Sequence, residues 1–116
     1  MQVSSRRIKG ALVVKVEGEL DHHTADAVRE RLDSLLEDPT IKHIVFDLSQ
    51  LKFMDSSGIG VFIGRYKVVS QRGGTVSVAC VTSQINKVFE VSGLYRIIKK
   101  YGSIEEALAG IGGCDE

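Results

Sequence analysis

An apolar run in the middle of the chain, residues 41–48, restricts the possible folds more than any other segment. Ile44, Val45 and Phe46 follow one another without the polar alternation of a strand that has one face in water. Such a run is typical of a central strand covered on both faces, as in parallel sheets whose strands are joined by helices. The run therefore predicts an α/β fold.

The segments on either side continue the alternation of strand and helix. Apolar residues at every second position predict strands at 11–17 and 75–81, and a short edge strand is expected at 95–98. Helical spacing predicts helices that begin near residues 25, 56, 83 and 103. The order of elements predicts one α/β domain over residues 1–116, with a mixed, mostly parallel sheet of about five strands and about four helices. Residues 110–116 are expected to form a flexible tail.

The second predicted helix begins with three polar residues that suit a helix start. Asp55, Ser56 and Ser57 directly precede apolar residues at helical spacing. The side-chain oxygens of Asp and Ser accept hydrogen bonds from unpaired first-turn N–H groups. The same free N–H groups, with the positive end of the helix dipole, favour an anion there, including a phosphate carried by a serine.

Two loops are expected to lie side by side at the carboxyl ends of strands, where open α/β sheets carry their functional loops. One is Gly18–Thr24, which follows the strand at 11–17. The other is Leu51–Gly58, which follows the apolar run.

Composition and motifs argue against several functions. Fifteen basic residues balance fifteen acidic ones, so neither direct nucleic-acid binding nor membrane binding is expected. No apolar run reaches the roughly 20 residues that cross a bilayer, and a cytoplasmic location is expected. His22 and His23 lie beside Asp21, but adjacent loop side chains point in differing directions and no second ligand cluster has suitable spacing. Neither a metal nor a cofactor is therefore expected.

An enzyme is not expected either. A serine near an aspartate and histidines is reminiscent of a serine-dependent hydrolase, but the segment Met54–Gly58 does not fit Gly-x-Ser-x-Gly. A serine hydroxyl without a suitably placed base is a poor nucleophile. The phosphate-binding loop Gly-x-x-x-x-Gly-Lys-Ser/Thr is also missing from the sequence.

Four blocks of sequence resemble one family. Together they cover essentially the whole chain in register, and they resemble the sporulation anti-sigma factor antagonists, or anti-anti-sigma factors, of the STAS-domain family. These blocks are Gly18–Ala25, Phe53–Gly60, Gly64–Lys67 and Val88–Leu94.

The resemblance implies a small cytoplasmic regulator that binds an anti-sigma factor and thereby frees the sporulation sigma factor. In this family the anti-sigma factor is a serine kinase that holds its own ATP or ADP. It phosphorylates the first serine after the aspartate, here Ser56, and a serine phosphatase reverses the modification. The residues alone leave Ser56 and Ser57 open as acceptors. The wider STAS family also makes a nucleotide-binding module an alternative.

The expected partner-binding surface combines the two loops with one side of the second helix. Three glycines in one helix cost about 1 kcal/mol each relative to alanine. Gly60 and Gly64 share a face, which serves either partner docking or packing within the chain. Asp21 is either a plain helix cap or a contact residue, and Arg65 is expected to be a solvated charge. The expected contact residues are Asp21, His22, His23, Thr24, Asp55, Ser57, Gly58, Gly60, Gly64 and Arg65.

Overall fold

The sheet is built around the predicted apolar strand, which lies at its centre. The structure, a computed structural model, describes residues 1–114, and their side chains through Ile111. Its strands are β1 (Gln2–Ile8), β2 (Ala11–Leu20), β3 (His43–Asp47), β4 (Leu51–Met54), β5 (Val76–Ala79) and β6 (Lys99–Tyr101). Its helices are α1 (Ala25–Leu35), α2 (Ser56–Gln71), α3 (Ser83–Ser92) and α4 (Ile104–Cys114).

The strand order β1-β2-β3-β5-β6 confirms the mixed, mostly parallel sheet. Only β1 and β2 are antiparallel, whereas β2, β3, β5 and β6 are parallel neighbours. The additional strand β4 pairs in parallel with the carboxyl end of β2. Strand β3 has partners on both sides, and its residues Ile44 to Phe46 are almost fully buried. The α/β fold predicted from this run is confirmed.

Helices cover the two faces of the sheet unequally. On one face α1, α2 and α3 pack against alternate residues of β2, β3 and β5 and form the larger core. A line of aromatic rings joins three elements of this core, with centroid separations of 4.8 Å between Phe46 and Phe62 and 5.2 Å between Phe62 and Phe89. On the other face α4 contributes Ala107 and Ile111 to a smaller core. Phe62 thus anchors helix α2 to the sheet and to helix α3.

The loop predicted at Leu51–Gly58 contains a strand. Residues 51–54 form β4, and β2 extends to Leu20 rather than ending near Glu17. The strand was not evident from the sequence because it has only four residues. Its two central residues, Lys52 and Phe53, are both exposed, so buried and exposed positions do not alternate along it. The expectation that the two segments lie side by side is nevertheless confirmed, since Leu20 pairs with Met54.

The strand predicted at 95–98 is wrong. Leu94–Arg96 is a 3₁₀ turn that follows Gly93, whose φ of 80° ends α3. Strand β6 begins only at Lys99 and lies at the sheet edge. Ile98 is buried in the larger core, so the apolar residues that indicated a strand serve packing before the strand begins.

The tail expected from Gly110 onward is wrong for residues 110–114. Helix α4 continues through Cys114, and Ile111 is 9% exposed in the smaller core. The glycine-rich sequence of this segment concealed the helix, because glycine is a poor helix former. Asp115 and Glu116 lie outside the described residues.

Candidate functional site

Two segments meet at the carboxyl ends of β2 and β4. The backbone N–H of Asp55 donates to the carbonyl oxygen of Leu20, with a distance of 3.2 Å. Asp21 follows the last residue of β2, and Asp55 follows the last residue of β4. Strand pairing therefore brings both aspartates to the same end of the sheet, as expected for parallel strands.

Asp55 caps helix α2 as the sequence predicted. Its backbone is extended, with φ −112° and ψ −166°, and its Oδ1 accepts a hydrogen bond from the N–H of Ser57 at 2.9 Å. Ser56 is the first residue of the helix and is exposed, whereas Ser57 is half-buried. The cap thus presents Ser56 at the positive end of a 16-residue helix.

Asp21 organises the turn before α1 rather than capping the helix itself. Its Oδ1 accepts hydrogen bonds from the N–H groups of His23 at 2.9 Å and Thr24 at 3.2 Å. Thr24 Oγ1 accepts from the N–H of Asp21 at 3.0 Å and donates to the carbonyl oxygen of Glu19 at 2.8 Å. The helix begins at Ala25, and Thr24 makes no capping bond to it. The side chains of Asp21 and Thr24 therefore both hold the β2–α1 turn by hydrogen bonds to its backbone.

The pKa of Asp21 lies below its ordinary value. Partial desolvation alone would raise the pKa of Asp21, but two influences outweigh it. They are the hydrogen bonds from the N–H groups of His23 and Thr24 and the positive charges that His23 and His22 can carry. Asp21 is consequently a stable negative charge at the end of the sheet where helix α2 begins.

The two histidines lie against each other. Their ring centroids are 3.9 Å apart, so the expectation that they point in differing directions is wrong. His22 Nδ1 is 4.0 Å from Asp55 Oδ2, and the His22 side chain is 71% exposed. Among the described residues, no group of three or more histidine, cysteine, aspartate or glutamate side chains is placed to hold a metal ion.

The three glycines of α2 face different surroundings. At Gly58, an added Cβ would lie 2.4 Å from Met54 Cγ and 3.0 Å from Leu20 Cγ, so this residue packs inside the chain. At Gly60 and Gly64 an added Cβ would meet no atom within 4 Å. Packing within the chain therefore explains Gly58 but not the other two, and the expectation of a surface role for Gly58 is wrong.

Arg65 is buried, contrary to its prediction as a solvated charge. It is 7% exposed, and its Nε lies 3.3 Å from Asp33 Oδ1 on helix α1. Burial lowers the pKa of Arg65, Asp33 opposes that change, and Arg29 adds to it. The spacing of Arg65 from the buried Val61 and Val69, four residues on either side, was the available signal. Arg65 therefore joins α2 to α1 and does not present a charge at the surface.

Phe53 is a candidate contact residue that the sequence reasoning did not single out. It is 42% exposed on β4, two residues before Asp55. Exposed large aromatic residues are enriched at protein–protein interfaces. An aromatic residue two positions before the Asp-Ser-Ser block was the available signal.

The chain resembles known proteins over nearly all of its length. Residues 2–107 match the family model of the STAS domain. The chain is 41% identical over 108 residues to the anti-sigma F factor antagonist of Paenibacillus polymyxa, which covers 93% of this chain and 92% of that protein.

Two solved structures extend the likeness to the fold. The anti-sigma factor antagonist SpoIIAA in its unphosphorylated form is 26% identical with a TM-score of 0.84, covering 97% of each chain. The Bacillus cell fate determinant SpoIIAA in the phosphorylated form is also 26% identical, with a TM-score of 0.73, and covers 95% of this chain and 99% of that one. No helix in residues 1–114 is long and apolar enough to cross a membrane.

Proposed function

This chain belongs to the anti-sigma factor antagonists of the STAS domain family, and we propose that it is a phosphorylation-controlled switch. The unphosphorylated form binds an anti-sigma factor serine kinase in the cytoplasm and thereby releases a sporulation sigma factor. Phosphorylation of Ser56 abolishes that binding. The observation that carries the proposal is the exposed hydroxyl of Ser56 at the capped start of α2.

The choice of Ser56 over Ser57 is supported by exposure and by the cap. A phosphoacceptor must enter the active site of another protein, and Ser56 is exposed whereas Ser57 is half-buried. The backbone of Ser57 is also held by the Asp55 carboxylate at 2.9 Å. In the transfer, the bond from Ser56 Oγ to the γ-phosphorus of ATP forms while the bond from that phosphorus to the ADP oxygen breaks. The hydroxyl proton passes to the kinase.

The switch follows from where the added charge lies. A phosphoserine carries about −1.5 to −2 charge at pH 7. At the start of α2 the helix dipole favours this charge by about 0.3–1 kcal/mol, so the fold tolerates it. Inside an interface the phosphate is desolvated beside the carboxylates of Asp55 and Asp21, where like charges repel. The domain therefore survives the modification and the complex does not.

The proposed contact surface surrounds Ser56. It consists of the β2–α1 turn, the residues around the start of α2, and the open side of that helix where Gly60 and Gly64 admit a close approach of another backbone. Gly58 and Arg65 support this surface from within the fold. The proposed contact residues are Asp21, His22, His23, Thr24, Phe53, Asp55, Ser57, Gly60 and Gly64.

The proposal assigns the other components of the switch to separate proteins. The kinase holds the ATP or ADP, and a serine phosphatase restores the Ser56 hydroxyl. The chain itself has a regulatory and not a catalytic role. Incubation of the purified chain with ATP alone should therefore yield neither nucleotide turnover nor retained nucleotide.

The test is phosphate transfer from labelled ATP by an anti-sigma factor captured from the native cytoplasm on this chain. The parent should be captured with the kinase and labelled, and Ser56→Ala should capture it without being labelled. Ser57→Ala, the matched control, should still be labelled because it keeps the Ser56 hydroxyl, while Ser56→Asp should lose the kinase. Label that persists in Ser56→Ala and disappears in Ser57→Ala would contradict the assignment.

A further inference from the structure

His22 lies next to the residue that carries the proposed modification. Its Nδ1 is 4.0 Å from Oδ2 of Asp55, and Asp55 directly precedes Ser56. We propose that His22 is the cationic partner of the phosphate on Ser56, so that the imidazolium pairs with the phosphate in the modified chain. This inference rests on the proposed function, since it concerns the phosphorylated form.

A cationic partner would add to the favourable effect of the helix dipole on a phosphate at Ser56, because the Asp55 carboxylate already lies at the helix start. Asp55 Oδ1 accepts the hydrogen bond of the Ser57 N–H at 2.9 Å, so that donor is taken. The new phosphate and the Asp55 carboxylate would be carried by adjacent residues, and two negative groups so close in the chain repel each other. A cation that contacts both groups relieves the repulsion and leaves the cap of α2 intact.

His22 has the position and the freedom to do this. Its side chain is 71% exposed, so its ring can turn without disturbing the core. The charged and titratable groups that face it are the Asp55 carboxylate, the Asp21 carboxylate and the ring of His23. The carboxylates of Asp55 and Asp21 attract a positive charge at this position, and a phosphate on Ser56 would add a third anionic group to the same cluster.

His23 provides a matched control on the same loop. Its ring centroid is 3.9 Å from that of His22, and its backbone N–H donates to Asp21. The 4.0 Å contact with Asp55 is made by His22 and not by His23. Replacing either histidine removes the same chemical group, but only the His22 replacement removes the proposed partner of the phosphate.

The expected effect is measurable as a change in the ionisation of the phosphate. The second ionisation of a free phosphoserine has its midpoint near pH 6. A unit charge about 5 Å away in a water-like dielectric shifts such an ionisation by roughly half a pH unit. An imidazolium at His22 favours the doubly charged phosphate, so the midpoint in the phosphorylated chain should lie lower than it would without His22.

The experiment is a pH titration followed by phosphorus NMR on the full chain with phosphoserine installed at position 56 by genetic encoding. The parent, His22→Gln and His23→Gln are compared at low ionic strength. The midpoint in His22→Gln should lie roughly half a pH unit above the parent, and His23→Gln should coincide with the parent. Circular dichroism checks that all three are folded.

Two results would overturn the inference. Coincident midpoints in the three chains would show that the phosphate has no cationic partner on this loop. A midpoint shift in His23→Gln as large as that in His22→Gln would show that the phosphate senses the overall charge of the loop and not His22. Because the phosphate is installed without the kinase, this titration is independent of the labelling test that decides whether Ser56 is the acceptor.

Discussion

Alanine substitutions at the three glycines of helix α2 should change stability in opposite directions. In an exposed helix interior, alanine is favoured over glycine by about 0.5–1 kcal/mol. An added Cβ at Gly60 or Gly64 meets no atom within 4 Å. Gly60→Ala and Gly64→Ala should therefore each raise the free energy of unfolding by about that amount.

Gly58→Ala should instead lower the free energy of unfolding. Its Cβ would lie 2.4 Å from Met54 Cγ and 3.0 Å from Leu20 Cγ, and both neighbours are buried. Overpacking of this kind typically costs about 1–3 kcal/mol, which exceeds the gain in helix preference. Subtracting the gain in helix preference from the overpacking cost leaves a net loss of up to about 2 kcal/mol.

Urea unfolding followed by circular dichroism measures these differences. The midpoint should rise for Gly60→Ala and Gly64→Ala and fall for Gly58→Ala, with an unchanged dependence on urea concentration. Equal stabilisation of all three variants would refute the packing argument, because Met54 and Leu20 would then move aside at no cost.

The same variants test the proposed docking face. A methyl group on a face where another backbone approaches closely overpacks the contact, so Gly60→Ala and Gly64→Ala should bind the anti-sigma factor about tenfold more weakly, or about 1.4 kcal/mol. Calorimetric titration measures this affinity. Variants that are more stable and bind as tightly as the parent would show that the partner docks elsewhere.

Three further substitutions test the fold and its charges. Gly74→Ala places a Cβ 1.4 Å from the backbone oxygen of Lys42 and should destabilise the domain by at least about 3 kcal/mol in thermal melts; a loss below about 1 kcal/mol would contradict the close approach. Arg65→Met should leave the stability to urea unchanged or raise it by about 1 kcal/mol, because the Asp33 left behind is half exposed; a loss above about 2 kcal/mol would contradict this. Because folding lowers the pKa of Asp21, the Asp21 carboxylate stabilises the folded state at pH values above 3.8, its ordinary pKa. This stabilisation is lost as the pH falls through the lower pKa of the folded state. The melting temperature should thus fall more steeply with decreasing pH for the parent than for Asp21→Asn. Parallel plots of melting temperature against pH would contradict the lowered pKa of Asp21.

Strong local patterns made most of the fold predictable. The uninterrupted run at Ile44–Phe46 identified the central strand, and Asp55 identified the start of α2, because burial and capping leave direct marks on the sequence. Strand β4 was missed because it is short, lacks alternation and is defined by its pairing with β2. The continuation of α4 was missed because Ile111 owes its helical state to tertiary packing rather than to local preference.

The candidate site was predictable where it follows from the positions of the strand ends in the sequence. Adjacent strand ends brought Asp21 and Asp55 together as the loop positions suggested. Gly58 and Arg65 lie on the side of α2 that packs against the rest of the domain. The spacing of the glycines alone could not distinguish the buried Gly58 from the open Gly60. The contact between His22 and Asp55 likewise depends on the register of β4 with β2, which requires the three-dimensional structure.

The most direct test of the proposed switch compares the unmodified chain with the chain that carries phosphoserine at position 56. Affinity for the anti-sigma factor is measured by calorimetric titration, and the melting temperature is measured on the same samples. The phosphorylated chain should melt at the same temperature or slightly higher and bind at least about a hundredfold more weakly, or about 2.8 kcal/mol. Equal affinity of the two forms, or a loss of affinity accompanied by unfolding of the phosphorylated chain, would contradict the account.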